Sequence, residues 1–213
     1  GIMATAAGDM AIPKGTWYGN IFVMLRQLLV FTKPITNQIF DGGVNLYCGM
    51  LAVLTMFLYL FVKEHPWKKF RKYVLLVLLV ISFNHGTLNY IWHGMHDQYG
   101  IPNRFSFVFI FVLLVMAYDA VQSITEIDIY FVISSILLAG AFAFACKQQA
   151  GATIGKYTLP ASLVLLVIYG VTCCLRTSKK ITHATYISVI GSVCLVELVA
   201  NAAYGFSENG YCH

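Results

Sequence analysis

Six long apolar runs, at about 44–63, 72–92, 104–121, 129–146, 158–176 and 181–204, constrain this chain more than anything else in it. Each is close to the ~20 residues that a helix rising 1.5 Å per residue needs to cross a ~30 Å hydrocarbon core. The expected fold is all-α, a polytopic transmembrane helical bundle. A composition that is 59% apolar and 11% charged excludes a soluble domain of this length, which would lack the charged side chains to cover its surface. The runs are continuous, rich in Leu, Val and Ile, and do not alternate with polar residues, which excludes an outer-membrane barrel. With no internal repeat, low-complexity tract or long linker, residues 1–213 read as a single transmembrane domain.

Orientation follows from the turns. Lys63, Lys68, Lys69, Arg71 and Lys72 crowd the first, and Arg176, Lys179 and Lys180 a later one. The positive-inside rule places both in the cytoplasm, and threading the spans then puts 93–103, 147–157 and both termini outside. The net charge of +5 is thus a topology signal, and no nucleic-acid partner is expected. The six cysteines (Cys48, Cys146, Cys173, Cys174, Cys194, Cys212) lack zinc-type or secreted-type pairing and read as small apolar residues, with an outer Cys48–Cys212 disulfide left open.

Gly1–Gly15 has no basic n-region followed by an apolar h-region and is not a signal peptide, and the chain reads as an excised piece or processed product. From Trp17 to Leu29 apolar residues recur at spacings of three and four, with Asn20, Arg26 and Gln27 off the stripe. Residues 16–32 are therefore expected to form an amphipathic helix in the outer interface, with Trp17 and Tyr18 at headgroup depth. A short spanning helix or packed outer loop is the alternative.

Between the second and third runs lies the densest polar chemistry. His85, Asn89, Trp92 and His96 share a helical stripe, and Gly94 should end the helix before His96 and Asp97. His85 and Asn89 either serve a site or join helices by hydrogen bonds. Neutral imidazoles with a carboxylate (His93, His96, Asp97) would suit proton transfer. They would also suit a divalent metal, although the spacing matches no strong zinc signature, and no other cofactor is expected. Arg104 opens the third run between Pro102 and Phe105, where its guanidinium could hold a phosphate bidentately or simply snorkel to the interface. Beside it, Asn89, Trp92 and Tyr99 could bind a sugar or lipid. Asp119, at the inner end of the third run, could reach a lysine of the first turn. Glu197, well inside the sixth, needs a partner, a proton or water, and Asn201 one turn on is the nearest candidate.

Asn89-Tyr-Ile-Trp-His-Gly-Met95, eight residues, then Arg104-Phe-Ser-Phe107, preceded by Val44-Asn-Leu-Tyr-Cys-Gly-Met-Leu51 and followed by Val196-Glu-Leu-Val-Ala-Asn-Ala202, resembles the YfhO family of bacterial multi-pass membrane proteins. The similarity runs from about Trp17 to the C-terminus. It implies a GT-C-like glycosyltransferase in the bacterial plasma membrane. The donor would be a sugar on undecaprenyl phosphate or a related polyprenyl-phosphate carrier, the acceptor an envelope polymer such as lipoteichoic acid, and transfer would occur outside. Family members are several times longer, so the chain is expected to be part of such an enzyme, with the catalytic acid either upstream of Gly1 or supplied by Asp97. Trp92, His93, Gly94, Pro102, Arg104, Ser106 and Phe107 carry the motif. Two other functions fit the residues: a proton-coupled transporter or flippase using Glu197 and His85, and a non-catalytic membrane scaffold.

Overall fold

The computed structural model describes residues 15–35, 43–95, 103–150 and 155–209. Among these residues the chain is helical, with no strand. The elements are α1 (Ile21–Leu25), α2 (Met50–Leu58), α3 (Pro66–Asn84), α4 (Gly86–Trp92), α5 (Ser106–Gln122), α6 (Ile129–Ala150), α7 (Thr158–Thr177) and α8 (His183–Asn209).

The short α2 lies at the centre. It is apolar all round and buries Met50, Ala52, Val53, Leu54 and Leu58, as a helix without a polar face must. Around it pack α5, α6 and α7, while α8 leans on α7 at the edge. Outward-facing Leu137, Val164 and Val196 are more than half exposed, which costs nothing where the surrounding solvent is hydrocarbon.

Each apolar run contains helix, but among the described residues only three of the helices reach the length and hydropathy of a membrane span. Ile129–Gln149, Thr158–Thr177 and His183–Ser207 are long and apolar enough to cross a membrane, whereas Met50–Phe61 and Ser106–Gln122 are apolar but shorter. The run expected at 44–63 is extended up to Gly49, whose φ of +100° only glycine adopts readily, and turns helical at Met50. Upstream, Asn45 holds the backbone of Ile35 through both its amide atoms, at 3.0 and 3.1 Å. The run expected at 72–92 starts earlier, at Pro66 capped by His65, and breaks at His85.

A strap from the N-terminal segment heals that break. Tyr18 N–H donates to the Asn84 carbonyl and Gly86 N–H to that of Thr16, both at 2.9 Å, and Asn84 Nδ2 reaches the Gly19 carbonyl at 2.9 Å. A β-carbon at Gly86 would sit 3.1 Å from Thr16 Oγ1, so glycine there admits the strap. The 16–32 stretch, expected as one interfacial helix, is accordingly helical only in α1 and a 3₁₀ turn at Arg26–Leu28. Its first residues are committed to pairing with 84–86, and Leu28, Leu29 and Val30 enter the core instead of lying on the surface. Trp17 and Tyr18 are exposed.

α6 and α7 share the most extensive contact of the described helix pairs, and Ile136 of α6 packs onto Gly170 of α7. A β-carbon there would fall 2.3 Å from Ile136 Cδ1 and 2.6 Å from its Cγ1. Gly170→Leu is expected to destabilise the protein by about 1–3 kcal/mol, the usual range for overpacking. Thermal unfolding in detergent checks this, and an unchanged midpoint would show that α6 and α7 separate freely.

Candidate functional site

The break at His85 creates a short helix, α4, that carries the sequence-predicted residues to one end of the bundle. His85 Nδ1 accepts weakly from Leu88 N at 3.5 Å and its ring meets Trp17 edge-on. At the far end His93 stops the helix, and Gly94 (φ +70°) turns the chain away, where the sequence places the stop. Asn89 is buried and donates through Nδ2 to Asn103 Oδ1. Asn103, also buried, adopts φ +56°, a left-handed conformation that Asn tolerates, and its Nδ2 donates to the Gly43 carbonyl at 3.1 Å. This amide pair staples α4 to the chain that opens α5.

Aromatic rings continue the staple. Trp92 donates from Nε1 to Ser82 Oγ at 3.1 Å and stacks on Phe105 with centroids 5.1 Å apart. Phe105 stacks on Phe83 at 4.9 Å, and Phe83 meets Phe109 edge-on at 5.9 Å. His93 lies edge-on to Phe105, and its Nδ1 is 2.8 Å from the Asn89 carbonyl. Because a carbonyl can only accept, Nδ1 carries the hydrogen, and in the neutral ring Nε2 holds the lone pair of a base. Neither His93 Nε2 nor Asn89 Oδ1, both buried atoms, has a hydrogen-bond partner among the described residues.

Arg104 sits between Asn103 and Phe105 and is exposed. Among the described residues it makes neither a salt bridge nor a hydrogen bond, in contrast to Lys72. The structure thus gathers Asn89, Trp92 and His93 beside one set of stacked rings, and Arg104 is the chain neighbour of Phe105 in that stack. His96, Asp97 and Tyr99, the other expected site residues, lie outside the described residues. Among the described residues no group of three His, Cys, Asp or Glu is placed to hold a metal ion. Asn103 and Ser82 escaped the sequence reading, because neither carries a charge or a ring that stands out beside the apolar runs.

Glu197 occupies a second polar centre. It is 3% exposed, and three donors converge on it at 2.6 Å: Tyr47 Oη and Met50 N on Oε1, and Tyr169 Oη on Oε2. Met50 N belongs to the first turn of α2, where the helix dipole favours a carboxylate. Asn201, the expected partner, accepts instead from Phe31 N at 2.7 Å. Cys48 nearby is a free thiol, and Cys212 lies outside the described residues.

At the opposite end, Lys72 Nζ is 2.8 Å from Asp119 and 3.5 Å from Glu64, as the position of Asp119 suggested. Burial pushes the Glu64 carboxyl up, but the hydrogen bond from Tyr59 and the charge of Lys72 outweigh it and hold the group below its usual value. A depressed carboxyl contributes stability that is present above its unfolded pKa and lost as pH falls through the lower folded one. The midpoint of thermal unfolding should therefore drop on acidification more in the native protein than in Glu64→Gln, and parallel pH profiles would contradict this.

Apolar helices of bilayer length, packed around a central short helix with a cluster of polar and aromatic side chains at one end, define an integral membrane protein with a candidate ligand site. A family model described as "Bacterial membrane protein YfhO" matches residues 14–212. The chain belongs to the YfhO family of bacterial membrane proteins. No curated protein and no solved structure matches it.

Proposed function

We propose that the protein is a membrane-embedded glycosyltransferase, or part of one, that moves a sugar from a polyprenyl-phosphate carrier to an envelope polymer such as lipoteichoic acid on the outer face of the plasma membrane. The observation that carries this reading is Arg104, an exposed residue with no partner among the described residues, next in the chain to Phe105 of the aromatic stack. A guanidinium fork matches the oxygens of a departing phosphate. In an inverting transfer, an acceptor hydroxyl forms its bond to the anomeric carbon as the bond to the carrier's phosphate oxygen breaks, and the phosphate leaves with the electron pair. The hydroxyl proton goes to a base, for which Asp97 and the lone pair of His93 Nε2 are the candidates in this chain. His96 is next to Asp97 in the sequence, and Asn89, Trp92 and Tyr99 would contact sugar or carrier.

Membership in the YfhO family of bacterial membrane proteins, whose resemblance to GT-C glycosyltransferases implies this chemistry, supports the reading. Transport through Glu197 and His85 is less well supported, because Glu197 already takes three donors and His85 is occupied in capping α4. The test is transfer of a labelled sugar from its prenyl-phosphate carrier to lipoteichoic acid by membranes that contain the protein in its full native chain. Transfer absent from membranes lacking the protein would support the reading, and equal transfer in both would sink it.

A further inference from the structure

The first turns of α3 interleave rings and cations, in the order Trp67, Lys68, Lys69, Phe70, Arg71 and Lys72. At about 100° per residue these side chains part company around the helix. Leu76, Leu79 and Phe83 mark the buried side, and Lys72 shares it, where it meets Asp119 and Glu64. Lys69 turns back into the fold as well, its Nζ donating to the Leu60 carbonyl at 3.0 Å. Arg71 goes the other way. It falls about 40° from Trp67 and about 20° from Leu78 around the axis, on the outward stripe of α3. Arg71, Trp67, Val74 and Leu78 are all exposed.

The stripe has two parts. Beyond Arg71 it is apolar for two turns, through Val74 and Leu78, as suits a surface against hydrocarbon. Before Arg71 lie Trp67 and Phe70, each more than half exposed and stacked on one another with centroids 5.3 Å apart and planes 18° from parallel. Amphipathic rings outside the core are at home at headgroup depth. Arg71 and the exposed Lys63 make no hydrogen bond or ion pair among the described residues, and Lys68 is only within range of the Glu64 charge. The nearby carboxylates are already engaged, Glu64 by Tyr59 and Lys72, and Asp119 by Lys72. Cations without a protein counter-charge, set at the head of an outward apolar stripe, match a lipid that carries net negative charge at its headgroup and two acyl chains below it.

We infer that the first turns of α3 form a headgroup site for an anionic membrane phospholipid of the phosphatidylglycerol type. The guanidinium fork of Arg71 takes the phosphate, Lys63 and Lys68 add to the field around it, and the acyl chains run along Val74 and Leu78. The site lies at the Lys72 end of the bundle, away from Arg104, and stands whether or not the protein transfers sugar.

The test places the full native chain in phosphatidylcholine vesicles that carry a small fraction of brominated lipid, either phosphatidylglycerol or phosphatidylcholine, and reads tryptophan fluorescence. The part of the quenching that disappears in Trp67→Phe belongs to Trp67. Brominated phosphatidylglycerol is expected to produce that part at about one-fifth or less of the concentration that brominated phosphatidylcholine needs, since one basic residue near a lipid surface is worth about fivefold in binding. Arg71→Gln should bring the two lipids within about twofold of each other, and Arg71→Lys should keep most of the preference. Lys63→Gln with Lys68→Gln serves the same purpose should Arg71→Gln unfold, as judged by thermal unfolding. Equal quenching by the two lipids, or an undiminished preference in a folded charge-removing variant, would overturn the inference. So would the absence of Trp67 quenching by either lipid, which would show a protein partner covering the turn. Loss of the preference on adding soluble glycerol phosphate would assign the turn to a free phosphate and overturn it too.

Discussion

Replacing Arg104 with alanine is expected to lower sugar transfer by about 10²- to 10³-fold in kcat, the range seen when one group that stabilises developing charge is removed. The charge on the leaving phosphate grows as its bond to the anomeric carbon breaks, so a cation held there stabilises the transition state more than the ground state. Arg104→Lys should recover part of the loss, because the charge returns without the planar fork. The side chain is exposed and makes no bond among the described residues, so unfolding of the variant should stay within about 0.5 kcal/mol of the native protein. Transfer by Arg104→Ala at the native rate would remove the arginine from the chemistry.

Glu197→Ala is expected to cost stability instead, by about 3 kcal/mol. Three donors, of which Met50 N and Tyr169 Oη are buried and Tyr47 Oη partly so, would lose their common acceptor, and each buried orphan costs about 1–3 kcal/mol in water-soluble proteins. The lower end applies here, because polar contacts within membranes average closer to ~0.6 kcal/mol when measured by mutant cycles. Glu197→Gln, which keeps one carbonyl oxygen but turns an amino group toward a donor, should lose about half as much. Denaturant or thermal unfolding in a lipid-like detergent measures both. A proton-coupled transporter makes the opposite forecast, in which Glu197→Gln leaves stability alone and halts substrate movement.

The apolar runs made the helices legible in sequence, since hydropathy over 20 residues hardly depends on what packs against it. The ends of the spans were less so. At 44–49 the backbone is held out of helix by Asn45 on Ile35 and by the positive φ of Gly49, both contacts over distance or of geometry that a window of hydropathy averages away. The division of 66–92 at His85 depends on a strap far upstream in sequence, so no local signal announces it. At the candidate site, Trp92, His93 and Arg104 stood out because charged and aromatic residues are conspicuous beside apolar runs. Asn103 did not, because an asparagine in a loop looks ordinary until its partner Asn89 is seen to be buried. Glu197 was conspicuous, but its partners were not: tyrosines on two other segments and a backbone N–H cannot be recognised from spacing along α8.

The strap at His85 also bears on how the chain is built. Gly19 precedes its partner Asn84 by 65 positions, so the ribosome releases the strap well before the groove that receives it exists. Until then Tyr18 and Thr16 have no strand-like mate, and until the strap arrives Gly86 N–H and the Asn84 carbonyl stand open at membrane depth, where water cannot serve them. Insertion of α3 and α4 and the docking of the strap must therefore finish together. A chain that lacks the strap should leave α3 and α4 half-assembled and open to proteases and membrane quality control, long before any defect at the candidate site could be detected by activity.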